Sequence, residues 1–215
     1  MAVWNLLSKR RNGILLLLVG VFLPLWGFGK LAEEIWEKEN GFPWDVPLLL
    51  LIHQGAKPQL DFLASALTQT GGFWSITTLS LWTALILLVQ RRWRSLTFFI
   101  VAMLGNGTIN RVAKLLLQRV RPHLWDSPAP EFDYGFPSGH AMASMGLVVA
   151  LIILSPRRRR KWAIIGGAFY VLMIAWTRLY LGVHYPSDVA AGWMASIAWV
   201  VGMGFIFRMF NSNRS

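Results

Sequence analysis

The run SLTFFIVAMLGNGTINRVAKLLL, from Ser95 to Leu117, is almost unbroken in its apolar character and matches the roughly 20 residues a helix needs to cross the hydrocarbon core of a bilayer. Within it Asn106, Asn110 and Lys114 recur at every fourth position, and Gln118 follows at the same interval. That spacing places them on one slowly drifting face of a helix. Arg121 lies seven residues beyond Lys114, about two helical turns, so both cations are expected to point the same way before Pro122 ends the helix. A lone lysine here can simply snorkel to the interface, but polar groups at this depth usually face the interior of a bundle and mark function.

Reading outward from this helix, other apolar runs of similar length appear on both sides. Spans are expected near residues 12–29, 72–90, 95–117, 138–155, 162–181 and 187–207. The first could instead be a secretory signal, since Lys9, Arg10 and Arg11 precede it. Its end carries Trp26 and Phe28 where a cleavage site needs small residues, so it reads as a retained helix kinked at Pro24. Residues 30–71 mix Trp36, Trp44 and acidic side chains with Pro43, Pro47 and Pro58, which predicts short amphipathic helices along the outer surface. The fold class expected is therefore all-α, a polytopic membrane bundle of about six transmembrane helices with a short external amphipathic segment. Residues 1–215 read as a single membrane domain, with no internal repeat or low-complexity tract.

Composition agrees with a membrane solvent, because 55% hydrophobic and 14% charged residues are too apolar a mix for an ordinary soluble domain. The net charge of +11 raises nucleic acid as a partner, but the basic residues sit as short clusters between apolar runs rather than on one polar face. No nucleic acid is expected. The chain has no cysteine, which excludes a disulfide and a thiolate metal site and leaves location open.

Short cytoplasmic loops hold an excess of Lys and Arg. With six spans, the clusters Lys9 to Arg11, Arg91 to Arg94, Arg157 to Lys161, and Arg208 with Arg214 all fall on the side of the termini, and they contain most of the 21 basic residues. Glu33, Glu34, Glu37, Glu39, Asp45, Asp61, Asp126, Glu131, Asp133 and Asp188 all fall in the other loops or at their edges. Both termini are therefore expected in the cytoplasm. Trp93 and Trp162 beside the basic clusters, and Trp26, Trp74 and Trp176 near the opposite ends, suit interfacial belts.

Against that charge rule, Lys114, Arg119, Arg121 and Arg178 gather at the outer helix ends. Two further segments accompany them. In Pro137-Ser138-Gly139-His140, Ser138 is a natural N-cap, and the free amides after it form an anion site that Gly139 leaves open to close approach. His140 beside such an anion can give or take a proton near neutral pH, although a plain capping role is the commoner meaning of such a turn. From Thr177 to Asp188 the chain reads TRLYLGVHYPSD. Arg178 closes a helix, Gly182 permits a turn, Pro186 suits the first turn of the next helix, and Asp188 falls one turn from His184. Its carboxylate can orient one ring nitrogen and leave the other as a nucleophile, or the pair can be a structural cap.

Taken together, Lys-x6-Arg-Pro, Pro-Ser-Gly-His and Arg-x5-His-x3-Asp, in that order, resemble the signature of the type 2 phosphatidic acid phosphatase superfamily over roughly residues 70–207. That group contains membrane lipid phosphatases, soluble acid phosphatases and vanadium haloperoxidases on one helical core. The resemblance implies that Lys114, Arg121 and Arg178 bind phosphoryl oxygens with help from Ser138 and the Gly139 amide. It further implies that His184 attacks phosphorus, Asp188 orients it, and His140 protonates the leaving oxygen. Thr177 stands where the family more often has Ser, a change that keeps the hydroxyl. Three cations and a helix N-terminus also match the charge on the equatorial oxygens of a transferring phosphoryl group.

No metal or other cofactor is expected, because Asp126, Glu131 and Asp133 are irregularly spaced beside many cations. His53 and His123 read as loop histidines, with His123 near enough to Arg121 to touch substrate. The expected partners are membrane lipids and a lipid phosphate or diphosphate in the outer leaflet, such as phosphatidic acid, phosphatidylglycerol phosphate or undecaprenyl diphosphate. The same residues would serve a phosphotransferase passing the group from His184 to another lipid. A non-catalytic lipid carrier would be expected to have lost members of the set.

Overall fold

The computed structural model describes residues 13–37 and 41–210, and among these every regular element is helical. Lys9, Arg10, Arg11, Glu39 and Arg214, which entered the orientation reading, lie outside the described residues. In chain order the helices are α1 (Gly13–Glu37), α2 (Asp45–His53), α3 (Pro58–Thr70), α4 (Phe73–Val89), α5 (Trp93–Leu117), α6 (Gly139–Leu154), α7 (Arg157–Tyr180) and α8 (Pro186–Ile206). Among the described residues, five helical stretches are long and apolar enough to cross a membrane, with α3 and α4 counted as one continuous stretch and α6 shorter than the rest.

Helix α6 sits at the centre, against α8, α7, α5 and α4, while α8 also packs on α1 and α5. The main core joins Phe98 and Phe99 of α5, Leu147 and Ala150 of α6, and Val200 of α8. Gly192 permits the close approach of α8 to α6, since a Cβ there would lie 2.9 Å from the Ser138 carbonyl oxygen. Leu81, Leu104, Leu116 and Phe169 remain exposed on the outside. Lipid is the natural solvent for such a surface, because a bilayer rewards outward apolar side chains as water does not.

Several boundaries differ from the sequence expectation. Helix α1 runs on to Glu37 instead of ending near residue 29, carried by the helix-forming stretch Leu31–Glu37 and a Lys30–Glu33 ion pair. A π-helical turn, Leu18–Phe22, precedes Pro24, with the Leu23 amide bonding the Leu18 carbonyl. Within the region expected to hold amphipathic surface helices, α2 is apolar on nearly all sides, with Leu48, Leu50 and Leu51 exposed and Leu49 buried. Helix α6 has 16 residues, about 24 Å of helix against the roughly 30 Å hydrocarbon core. Its shortness is tolerable because protein surrounds it and the buried residues Phe136, Pro137 and Ser138 cover its start. Helix α5 ends at Leu117, not at Pro122, because Gln118 adopts a left-handed conformation at φ 44°. Gln118 thereby leaves the polar stripe, and Arg121 belongs to a loop.

Trp26, Trp74, Trp93 and Trp162 are exposed. Trp176 instead packs on Tyr180, with ring centroids 5.1 Å apart. At the end of the bundle away from the site, Arg94 of α5 donates from Nε to the Phe207 carbonyl at 2.6 Å.

Candidate active site

The loop between α5 and α6, residues 118–138, folds over the start of α6 and brings Arg121 to the helix ends that carry Arg178 and His184. Gly135 N donates to the Arg119 carbonyl at 2.8 Å, closing this loop on itself, and Ser138 N donates to the Asp188 carbonyl at 3.0 Å. The next turn, between α7 and α8, rests on Gly182 at φ 68°, where a Cβ would also lie 2.5 Å from the Trp125 ring.

At the centre of these elements is a carboxylate. Glu131 places one oxygen on the Arg178 guanidinium and 3.5 Å from His140 Nδ1. Its other oxygen lies 2.6 Å from Arg121 Nη2 and 4.0 Å from His184 Nε2. Four of the residues read as phosphate-binding or catalytic therefore converge on one small anion. Burial would raise the Glu131 carboxyl, but the charges of Arg178 and Arg121 outweigh it and hold the group below its ordinary 4.5. Arg178 is buried; its Nη1 donates to Thr68 Oγ1 of α3 at 2.6 Å, and its Nε has no partner among the described residues.

His184 is fully buried, and Arg121 Nη1 approaches its Nε2 at 2.8 Å while donating to the Val183 carbonyl at 2.6 Å. A guanidinium cannot accept, so this contact needs the Nε2 lone pair and puts the ring proton on Nδ1. Nδ1 faces Asp188 Oδ2 at 3.4 Å, longer than a hydrogen bond but on the side expected of an orienting carboxylate. Burial, then the charges of Arg121, Arg178 and Lys114, push the His184 imidazolium well below its ordinary 6.5. The neutral ring that a nucleophile requires is the favoured form.

Asp188 does more than face His184. Oδ2 accepts from Tyr185 N at 2.8 Å, a cap at the start of α8, while Oδ1 receives Arg119 Nη1. Arg119 is in turn held by Asp45 of α2 at 2.7 Å and by Ser187 Oγ at 2.7 Å, and it lies over the Tyr185 ring at 4.3 Å. Asp45 also accepts from Ser187 N at 3.0 Å and Ser187 Oγ at 2.6 Å. The capping and orienting readings of Asp188 are thus compatible.

The polar stripe of α5 leads up to this site. Asn106 and Ser196 both donate to the Met142 carbonyl, and Asn110 donates to the Pro137 carbonyl at 3.1 Å. Lys114 Nζ is buried and donates to Asp133 Oδ2 and the Tyr134 carbonyl, each at 2.6 Å. Asp133 also pairs with Arg121. Burial would raise its carboxyl, but the hydrogen bonds from Lys114 and Arg121 lower it further. Ser138 caps α6, accepting from Ala141 N at 3.5 Å, and Gly139 and His140 line a cavity beside it.

Among the remaining candidates, His123 is exposed in the loop, His53 stacks on Trp125 at 3.8 Å, and Thr177 Oγ1 donates within its own helix to the Ile174 carbonyl. Asp126 is exposed, and among the described residues no three His, Asp or Glu side chains converge as a metal-ligand set. Thr68, Asp45, Arg119 and Glu131 entered the sequence reading without a role or not at all. Arg119 and Glu131 had a detectable signal in the charge rule and the loop carboxylates; nothing local marked Thr68.

The PAP2 superfamily profile matches residues 95–214, which takes in every site residue from Lys114 to Asp188. An undecaprenyl-diphosphatase from Sulfolobus acidocaldarius is 30% identical over 123 residues, 55% of this chain and 57% of that protein. A lipid A 4'-phosphatase from Bacteroides thetaiotaomicron is 30% identical over 165 residues, 69% of this chain and 70% of that protein. In fold, the chain is similar to the crystal structure of a transmembrane PAP2-type phosphatidylglycerolphosphate phosphatase from Bacillus subtilis. The two superpose with a TM-score of 0.75 at 20% identity, covering 90% of this chain and 96% of that one.

Proposed function

This chain belongs to the PAP2 superfamily, and on that premise we propose that it is a multi-pass membrane phosphatase that removes a phosphate from a lipid phosphate or diphosphate. The observation that carries the reading is the Glu131 carboxylate held between Arg121 and Arg178 and beside both histidines. An anion there sits where three cations and a neutral imidazole can act on it together. A phosphoryl group would displace Glu131, and Arg178 Nε supplies a donor that the carboxylate leaves unused.

In the reaction, Arg121 and Arg178 hold phosphoryl oxygens from two sides, Lys114 adds a third charge, and the α6 N-terminus with Ser138 and Gly139 adds its dipole. His184 Nε2 attacks phosphorus as the bond to the lipid oxygen breaks. Asp188 faces the Nδ1 proton and stabilises the charge that develops on the ring. His140 gives a proton to the leaving oxygen, then takes one from the water that cleaves the phosphohistidine. Inorganic phosphate and the dephosphorylated lipid are the products.

The arginine clusters support an orientation as well. Arg91, Arg94, Arg157 to Lys161 and Arg208 lie at the end of the bundle opposite Arg178 and His184, which supports a cytoplasmic face for that end and an outer-leaflet level for the site. Single cysteines near Asp126 and near Arg158 test this in intact cells, where an impermeant thiol reagent should label only the first. Labelling at the Arg158 side would reverse the orientation.

The function is tested by phosphate release from purified protein on phosphatidic acid, phosphatidylglycerol phosphate and a polyprenyl diphosphate, with and without chelator. Release that persists in chelator and disappears in His184→Ala is expected. No release from any of them, or release that survives loss of His184, would overturn the reading.

A further inference from the structure

Arg111 lies in α5 three residues before Lys114, about 4.5 Å deeper along the helix. It lines a cavity of about 950 Å³ between α4, α5 and α6. At its site end this cavity takes in Lys114, Glu131 and His140, and farther along α4 and α5 its wall is apolar, with Ala84, Phe99 and Met103. Every cation at the site has a carboxylate: Lys114 has Asp133, Arg119 has Asp45 and Asp188, Arg121 has Glu131 and Asp133, and Arg178 has Glu131. Arg111 is exposed and has no ion-pair or hydrogen-bond partner among the described residues. A charge at membrane depth is costly, and such residues usually mark the path of a charged ligand.

Its position says which part of the ligand it would meet. With the reacting phosphorus at Arg121, Arg178 and His184, a lipid chain would find its apolar surroundings in the far stretch of the cavity. The atoms between them would then run along the part of the cavity that His140 and Arg111 both line. We propose that Arg111 is the subsite for the second, lipid-proximal phosphate of a lipid diphosphate. This rests on the phosphatase reading above and names the substrate class within it. In that reaction His184 Nε2 bonds to the terminal phosphorus, and the bond from that phosphorus to the bridging oxygen breaks. The electron pair stays on the bridging oxygen of the departing lipid monophosphate, and water then cleaves the phosphohistidine to release inorganic phosphate. Arg111 faces the charge that accumulates on the leaving phosphate. A lipid monophosphate has no group at this position.

The test uses the full chain with two substrates that share one tail, farnesyl diphosphate and farnesyl monophosphate, and compares kcat/KM for wild type, Arg111→Gln and Arg111→Lys. Loss of one charge-assisted contact is worth about 1.5–3 kcal/mol, so the diphosphate-to-monophosphate ratio should fall roughly 10-fold to 100-fold in Arg111→Gln. Arg111→Lys, which keeps the charge, should restore most of it. An unchanged ratio in Arg111→Gln, or a wild type that hydrolyses only the monophosphate, would overturn the subsite. Binding of farnesyl diphosphate to His184→Ala, with and without Arg111→Gln, reads the same contact without turnover. If wild type hydrolyses neither ester, the wider lipid panel decides on the phosphatase reading, and this binding comparison decides on Arg111 alone: weaker binding without Arg111 upholds the contact, and equal binding removes it.

Discussion

Glu131 rests one carboxylate oxygen on the guanidinium of Arg178, so the buried cation at the end of α7 is neutralised by the chain's own loop. On the proposed reading, the substrate phosphate and this carboxylate compete for the same donors. Replacing Glu131 with Gln removes the competing charge, and inorganic phosphate or vanadate should bind about 10-fold to 100-fold more tightly, the range one charge-assisted contact supplies. Without ligand the variant should melt lower than wild type, because Arg178 loses its counter-charge, and phosphate should restore more stability to it than to wild type. Thermal unfolding across a phosphate titration measures both. Equal phosphate affinity in the two proteins would mean that Glu131 does not compete.

Arg119 joins two buried carboxylates, Asp45 and Asp188, with less than a tenth of any of the three side chains exposed. Replacing Arg119 with Gln leaves both acids buried without a counter-charge, a change that typically costs about 3–5 kcal/mol. The variant should unfold at lower temperature and lose activity as Asp188 relaxes. The double variant Arg119→Gln with Asp45→Asn should recover part of the stability, since it removes one of the stranded charges. A double variant less stable than the single one would show that the network is not held by charge balance.

The contribution of His184 to the pH dependence of stability has a definite sign. His184 is lowered in the fold by burial and by Arg121, so above its ordinary 6.5 both folded and unfolded states carry a neutral ring. Below 6.5 the unfolded chain takes up a proton that the folded site refuses, and stability falls. Glu131 and Asp133, both lowered, extend the loss as pH drops past the ordinary carboxylate range. From pH 7 towards pH 5 the melting temperature of wild type should therefore fall relative to that of His184→Gln, which lacks this contribution. A constant difference between the two proteins across this range would show that His184 does not contribute.

The two histidines should separate by leaving group. On the proposed roles, His184→Ala removes the nucleophile and should abolish turnover and phosphoenzyme with every substrate. His140→Ala should lose monoester hydrolysis by the roughly 100-fold to 10,000-fold of general acid catalysis. It should still be phosphorylated by an activated aryl phosphate, whose leaving group needs no proton. The phosphohistidine should then accumulate, because water attack also depends on His140. Trapping labelled protein from the aryl ester measures this. Label in the His184 variant and none in the His140 variant would reverse the roles.

Much of this was decided by the sequence alone. Bilayer thickness sets the length and hydropathy of each span segment by segment, so five of the crossing regions could be placed from local composition. The turn at Gly182, the cap at Ser138 and the one-turn spacing of His184 and Asp188 are local too, because a few adjacent dihedrals determine them. Only the tertiary structure showed that α5 stops at Leu117, that Arg121 therefore lies in a loop, and that Glu131 sits between Arg121 and Arg178. Likewise Thr68 and Asp45 meet Arg178 and Ser187 across 110 and 142 positions of chain. Such pairings leave no periodicity to read. They arise because buried cations must find counter-charges and acceptors, and which acid or hydroxyl comes within reach depends on how the helices pack and how the loop closes over them.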